Sequence, residues 1–211
     1  MTGELVGIFT SARAGEAMEP LTEAVLETGK GLVGDRYYHG VGTFSEKLEG
    51  TPDVELTLVE EEEVFRFNEV AGLGLGLGDL RRNLVTRGVR LNDLVGKRFQ
   101  VGGVQLKGIR LCEPCAHLSR LVEPSLLPGM RHRAGLRAQI VSGGPVRLGN
   151  EIAVIPKTVI PKTVIPKTVI PKTVIPNAGD LIAGDPIAGD PAPAQEDSPA
   201  SSRTDVSRDT E

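Results

Sequence analysis

Short runs of alternating apolar and polar residues, separated by glycine-rich or polar turns, recur through the first 155 residues of the chain. Alternation with a period of two is typical of β-strands that bury one face. The spacing of these runs predicts a mainly β fold, either a β-meander or a β-barrel, with a few short helices. The predicted strands are residues 4–10, 54–59, 98–101 and 104–111.

One stretch has the pattern of a helix. Four consecutive glutamates, residues 60–63, precede Val64 to Asn68, and carboxylates favour the positive N-terminal end of a helix. A short helix beginning near Glu60 is therefore predicted. We expect the glutamates to form a solvated face rather than a metal site, because consecutive helical positions point in different directions.

Two other stretches lack a clear period. Residues 12–26 mix small and acidic residues around Pro20 without an apolar stripe, and we expect a loop there. Residues 71–78 alternate glycine with leucine or alanine, which favours a flexible connection. They contain a formal Gly-x-Gly pattern, but the βαβ context that a dinucleotide-binding loop requires is not indicated around it.

The sequence changes character after Val154. Val-Ile-Pro-Lys-Thr occurs four times in residues 154–173, and a proline at every fifth position interrupts helices and removes strand donors. We therefore predict a folded domain over residues 1–155 and a semi-extended spacer over residues 156–176. The acidic region rich in proline and serine, residues 177–211, is predicted to be a disordered tail.

Charge is distributed unevenly along the chain. Residues 1–80 contain 5 basic and 16 acidic side chains, whereas residues 81–150 contain 13 basic and 3 acidic ones. Residues 81–150 therefore suit an anionic ligand. Ion pairing between the two stretches across the fold is an equally good account of the same counts.

Composition limits the cellular compartment and the classes of partner that we expect for the protein. No run approaches the ~20 apolar residues of a membrane-spanning helix, and the N-terminus lacks the basic and apolar regions of a signal peptide. The absence of Trp and the scarcity of other aromatic residues argue against a base-stacking nucleic-acid surface. We expect a cytoplasmic protein with no membrane or nucleic-acid partner, in which the cysteines stay reduced.

The candidate chemical centre is the stretch that holds the only two cysteines of the chain, Cys112 and Cys115, with His117 after them. Nearby cations favour the reactive thiolate form of a cysteine. Our working hypothesis is that Cys115 is a soft-metal or sulfur ligand in a basic pocket for an anionic cofactor. Open alternatives are a plain pair of buried cysteines and a zinc site made from Cys112, Cys115, His117 and His132. The flanking cations are Arg110, Arg120, Arg131, Arg133 and Arg137.

Two further polar stretches supply groups that bind anions. Residues 79–88 hold arginines, an amide and a hydroxyl, which are donors for an anionic, hydrogen-bonding ligand. Residues 35–40 form a glycine-flanked polar turn where the backbone can approach a ligand closely. A basic surface element and an ordinary capped turn are the structural alternatives. The candidate ligand-binding residues are Asp35, Arg36, Arg81, Arg82, Asn83, Thr86, Arg110, His117 and Arg137.

Seven blocks of the sequence occur in a characteristic order. They are Gly31-Leu-Val-Gly-Asp35-Arg36, Leu56-Thr-Leu-Val-Glu60, Arg81-x-Asn83-Leu-Val-Thr-Arg-Gly88, Val95-Gly-x-x-Phe99-x-Val-Gly102, Cys112-x-Pro-Cys115, Arg133-x-Gly135-Leu and Gly143-Gly144-x-Val-x-Leu-Gly149-Asn150-x-Ile152. Together they resemble the MOSC domain, the C-terminal domain of molybdenum cofactor sulfurases, which also occurs as small stand-alone bacterial proteins. The resemblance spans about residues 3–155 and implies a mainly β, distorted barrel with a few helices.

The resemblance also implies a function. MOSC domains bind the molybdopterin form of the molybdenum cofactor, and their characteristic cysteine, which matches Cys115, ligates molybdenum or carries sulfur. The matched Arg81 and Asn83 are expected to help hold the pterin and its phosphate, whereas Cys112 occupies a variable position. Thiolate sulfur suits such a metal centre.

The activity implied is a molybdenum-dependent reduction of N-hydroxylated small molecules. A separate electron-donating or sulfur-donating protein is then an expected partner, because the chain has no domain of its own for either step. The alternative is a non-catalytic carrier of molybdenum cofactor or of persulfide sulfur.

Overall fold

The computed structural model describes residues 2–156. The predicted tail, and all but the first residue of the predicted spacer, lie outside the described residues. Within residues 2–156, none of the helices has the length and apolar character of a membrane-spanning segment.

Strands make up most of the regular structure in residues 2–156. The strands are β1 (Thr2–Thr10), β2 (Glu19–Leu21), β3 (Glu23–Glu27), β4 (Gly31–Leu32), β5 (Leu56–Glu60), β6 (Leu84–Arg87), β7 (Arg98–Val101), β8 (Val104–Leu111), β9 (Leu136–Ser142), β10 (Gly144–Arg147) and β11 (Glu151–Val154). The α-helices are α1 (Ser45–Leu48), α2 (Glu61–Ala71), α3 (Ala116–Leu121) and α4 (Leu126–Gly129), and short 3-10 helices span Pro52–Val54 and Leu91–Leu94.

Seven strands close into a barrel in the order β11-β7-β8-β9-β5-β6-β1, with β1 returning to β11. The long β1 makes closure possible, because its first residues pair with β11 and later ones pair with β6 and β2. The β5–β6 pair is parallel and is connected through α2, while the other barrel pairs are antiparallel. A small second sheet has the order β10-β3-β4. The mainly β, barrel-like fold predicted from the sequence is confirmed.

Alternation along the strands builds the barrel interior. In β7 and β8, Phe99, Val101, Val104 and Leu106 are fully buried, while the residues between them face solvent. Apolar side chains from the other barrel strands fill the same core. A second apolar cluster lies outside the barrel, where α2, α3 and α4 pack on β5 and β6. This second cluster supports the helix that follows the cysteines.

The predicted strands and helix are confirmed, but the predicted loop over residues 12–26 is wrong. That stretch contains β2 and most of β3. The partner of β3 is β10, with Ala24 opposite Val146, more than a hundred residues away along the chain. Because this pairing is non-local and β3 buries only Leu26, the local sequence has no clear period to indicate it.

The expectation of a solvated glutamate face at the start of α2 is also wrong. Glu60, Glu61 and Glu63 are only 5–7% exposed. Arg87 donates to both carboxylate oxygens of Glu61 at 2.6 and 3.1 Å, and Arg90 approaches Glu60 and Glu63 at 3.7 Å. Burial raises the pKa of Glu60. Arginines from the basic stretch, residues 81–150, therefore neutralise these acids, so ion pairs within the fold account for part of the charge asymmetry.

The start of β9 depends on a glycine, which gives a test of the fold. Gly135 has φ +113°, and a Cβ there would overlap the carbonyl oxygen of Leu58. We predict that Gly135→Ala lowers the free energy of unfolding by about 3 kcal/mol. Gly103→Ala is the control, since a Cβ at Gly103 meets open space, and its effect should stay below about 1 kcal/mol. Urea unfolding measures both, and equal stabilities would contradict this account.

Candidate functional site

The segment Cys112–Cys115 connects β8 to α3 and brings the thiols to one side of the barrel. Cys115 is the N-cap residue of α3, and the Leu118 N–H donates to its Sγ over 3.5 Å. This contact orients the side chain at the start of the helix. Cys115 is half-buried, whereas Cys112 is only 2% exposed. Cys115 is therefore the more accessible of the two thiols.

Both cysteines line a pocket of about 340 Å³, which is the size of a small-molecule site. Arg81 and Asn83 line the same pocket, so blocks that are distant in the sequence meet at one place. The predicted site residues in its wall are Arg36, Arg81, Arg82, Asn83, Arg110, Cys115, His117 and Arg137. Two predicted residues, Asp35 and Thr86, do not line it.

The pocket wall is strongly positive. Six lysine and arginine side chains line it, against a single carboxylate, Glu113. One of the six, Arg110, is neutralised by Asp53, which accepts from Nε and Nη2 at 2.8–3.1 Å. The remaining cations lack a carboxylate partner in residues 2–156, apart from Arg36, which pairs with Asp35 at 3.0 Å. The wall thus suits an anionic ligand.

Two arginines in the wall have donors that the described protein leaves unused. Arg81 donates through Nη1 to the Glu16 carbonyl, but its buried Nη2 has no partner in residues 2–156. Arg137 donates through Nη1 to the Asp53 carbonyl at 2.6 Å, while its buried Nε has none. Burial, together with repulsion from Arg36, lowers the pKa of Arg81. An anionic ligand beside these guanidinium groups would offset the unused donors and the repulsion between Arg81 and Arg36, since guanidinium groups bind carboxylate or phosphate strongly.

Asp35 does not line the pocket, but it accepts hydrogen bonds from residues that do. Its Oδ2 accepts from Arg36 Nη1 at 3.0 Å and from Asn83 Nδ2 at 3.2 Å, and its Oδ1 accepts from the Tyr37 N–H. Asn83 Oδ1 in turn accepts from the Thr57 hydroxyl at 2.9 Å. The Asn83 amide is thus engaged within the protein at both ends. Asp35 thereby holds Arg36 and Asn83 in place, and both of these residues line the pocket.

Arg82 and Thr86 serve the fold. Arg82 is 7% exposed and donates from Nε to the Ala134 carbonyl at 2.8 Å and from Nη2 to the Cys112 carbonyl at 3.0 Å. It therefore fastens the cysteine segment to the start of β9. Thr86 is fully buried, and its hydroxyl donates to the Val59 carbonyl on the neighbouring strand. These contacts give Arg82 a positioning role, although it also lines the pocket.

The four-ligand zinc alternative is not assembled. In residues 2–156, no three His, Cys, Asp or Glu side chains converge as a metal site. His132 lies outside the pocket lining, and its Nδ1 is 2.7 Å from Glu113 Oε1. Burial alone would raise the pKa of Glu113, but hydrogen bonds from the backbone and ring of His132 lower it overall.

Comparison with known sequences identifies the family. The sequence model of the MOSC domain matches residues 45–153, which is more than half of the chain. The chain belongs to the MOSC domain family. No curated protein matches this MOSC protein significantly.

Solved structures share the fold of this MOSC protein. The YuaD protein from Bacillus subtilis superposes with a TM-score of 0.63 at 17% identity, covering 73% of this chain and 96% of that one. YiiM from Escherichia coli gives 0.55 at 19% identity, with 74% and 71% covered. YiiM from Geobacillus stearothermophilus gives 0.53 at 14% identity, with 74% and 75% covered. At these identities the likeness establishes the fold alone.

Sequence reasoning missed one wall of the MOSC pocket. Phe44, Lys47 and Leu48, in and just before α1, line it together with Tyr37. The Phe44 ring lies edge-on to His117 with centroids 6.0 Å apart. Burial raises the pKa of Tyr37. A helix of four residues is too short to show a helical period in the sequence, so only the tertiary contacts reveal this wall.

Neighbouring arginines with different partners give a test of the site. Arg82→Met removes both hydrogen bonds to backbone carbonyls, and we predict a loss of about 3 kcal/mol in the free energy of unfolding. Arg81→Met should cost no more than about 1 kcal/mol, because the buried Nη2 has no partner in residues 2–156 to lose. Chemical denaturation of the two variants beside the wild type measures the difference. A larger loss for Arg81→Met would refute the assigned roles.

Proposed function

We propose that this MOSC protein binds the molybdopterin form of the molybdenum cofactor in the pocket, with the Cys115 sulfur as a ligand to molybdenum. The observation that supports this most is the shared pocket. A half-buried thiol lines the same cavity as Arg81 and Arg137, and each of these arginines has a buried nitrogen without a partner in residues 2–156. Soft sulfur suits the metal, and guanidinium donors suit the phosphate of the pterin.

The roles of the wall residues follow from their chemistry. Arg81 and Arg137 would hold the phosphate, and Arg36 would add positive charge, kept in place by Asp35. Phe44 and His117, packed edge to face, add an aromatic wall to the pocket that Cys115 lines. When bound, the cofactor would supply two-electron redox chemistry.

The proposed reaction is the reduction of N-hydroxylated compounds to the corresponding amines or amidines. Each turnover consumes two electrons and two protons, breaks the N–O bond and releases water. The electrons come from a separate electron-donating protein. The substrate must reach Cys115 through the pocket, whose lining includes residues of α1 and of the segment before α3.

A carrier is the second candidate function. Two thiols line one pocket, and only Cys115 among them is half-exposed. A persulfide sulfur held on Cys115, or a stored cofactor handed to another protein, uses the same pocket without turnover. This role requires a sulfur-donating or cofactor-accepting partner.

Replacement of Cys115 tests cofactor binding. Cys115→Ser keeps an N-cap acceptor for the Leu118 N–H but removes the soft ligand, so α3 should stay folded. We predict that molybdenum in protein purified from cofactor-producing cells falls about tenfold or more in this variant. The control Cys112→Ala should retain molybdenum and pterin. Equal molybdenum in Cys115→Ser and wild type would refute ligation by Cys115.

Turnover with a chemical reductant separates the enzyme from the carrier. We predict that cofactor-loaded protein with dithionite converts a hydroxylamine or amidoxime to its reduced product, and that Cys115→Ser does not. Product formation is measured by chromatography with apoprotein as the blank. A loaded wild-type protein that forms no product under these conditions would favour the carrier role instead.

A further inference from the structure

Half of the cations in residues 2–156 are neutralised by nearby carboxylates. Ion pairs engage Arg13, Lys30, Arg36, Arg66, Arg87, Arg90, Arg110, Arg133 and Arg147. Several of the unpaired cations line the pocket and are explained by its ligand. Three others, Lys97, Arg98 and Lys107, lie together on the barrel and form no ion pair within the described range. We call these three residues the basic row.

The basic row has an arrangement that the fold itself does not favour. Arg98 on β7 is directly opposite Lys107 on β8, and Lys97 precedes Arg98. All three residues are exposed on the outer face of the barrel. Like charges at directly opposed strand positions, roughly 5 Å apart at Cβ, repel each other. An acidic partner would remove this repulsion.

The basic row leads to the pocket along β8. The pairing of β8 with β9 is irregular between Gly108 and Arg110, and a bulge there lets Lys107 and Arg110 face outward although they are three residues apart. Arg110 is opposite Arg137, and both line the pocket. Three strand residues span about 10 Å. A partner on the basic row would therefore lie beside Arg110 and Arg137 in the pocket wall.

The surroundings favour a protein over a nucleic acid. The neighbours of the basic row on β7, β8 and β9 are the exposed amides Gln100 and Gln105 and the half-buried amide Gln139, with no aromatic side chain among them for base stacking. We propose that the basic row docks the acidic face of the protein that supplies electrons to the pocket. This inference rests on the proposed reductase function, which requires such a donor.

Binding to a defined donor tests the basic row. The full chain carrying Lys97→Gln, Arg98→Gln and Lys107→Gln is compared with wild type for calorimetric binding of an acidic plant-type ferredoxin at low salt. We expect the dissociation constant to rise roughly tenfold and its salt dependence to weaken, because exposed charges steer association. The control, Arg13→Gln with Arg66→Gln and Arg147→Gln, removes the same charge at paired positions and should change binding by less than about twofold.

Activity separates docking from chemistry. With ferredoxin as donor, the row variant should show a raised KM for ferredoxin, while dithionite-driven turnover stays at the wild-type rate. Equal binding by the row variant and the control overturns the proposal, as does a wild type that binds a DNA duplex but not ferredoxin. If dithionite drives no turnover in any variant, the reductase function fails, and the calorimetric comparison still decides whether the basic row binds an acidic protein.

Discussion

One buried guanidinium fixes the geometry of the site. Arg82 donates to the carbonyls of Ala134 and Cys112, and these two bonds join the start of β9 to the segment that carries the thiols. Since the Cys112 backbone is held there, Cys115 is held at the head of α3. The adjacent Arg81 enters the pocket that Cys115 lines. A charge buried without such partners would cost several kcal/mol, so the bonds of Arg82 are a condition of the fold.

The pocket differs from the start of α2 in how its arginines are partnered. At the start of α2, arginines and buried glutamates neutralise each other, as Arg87 does with Glu61. In the pocket, buried nitrogens of Arg81 and Arg137 have no partner in residues 2–156. Unmet buried donors cost stability, and such exceptions to hydrogen-bond satisfaction are typical of binding sites. Arg81 and Arg137 are therefore suited to an anionic ligand.

Sequence reasoning predicted the parts of the fold that depend on local alternation, such as Phe99 and Leu106 in β7 and β8. It missed β3, whose pairing partner is distant in the chain. The ordered blocks predicted a common site for Cys115 and Arg81, and the two residues line the same pocket. The sequence could not predict that Arg81 and Arg82 have different environments, because adjacent identical residues differ only in the direction that their side chains take in the folded chain.

The wall at Phe44 had no sequence signal either, because it depends on a tertiary contact with His117.

X-ray absorption at the molybdenum edge of cofactor-loaded protein reports whether Cys115 ligates the metal. We expect one sulfur ligand beyond those of the pterin dithiolene in wild type, and its loss in Cys115→Ser. Identical metal environments in the two proteins would show that Cys115 is not a ligand.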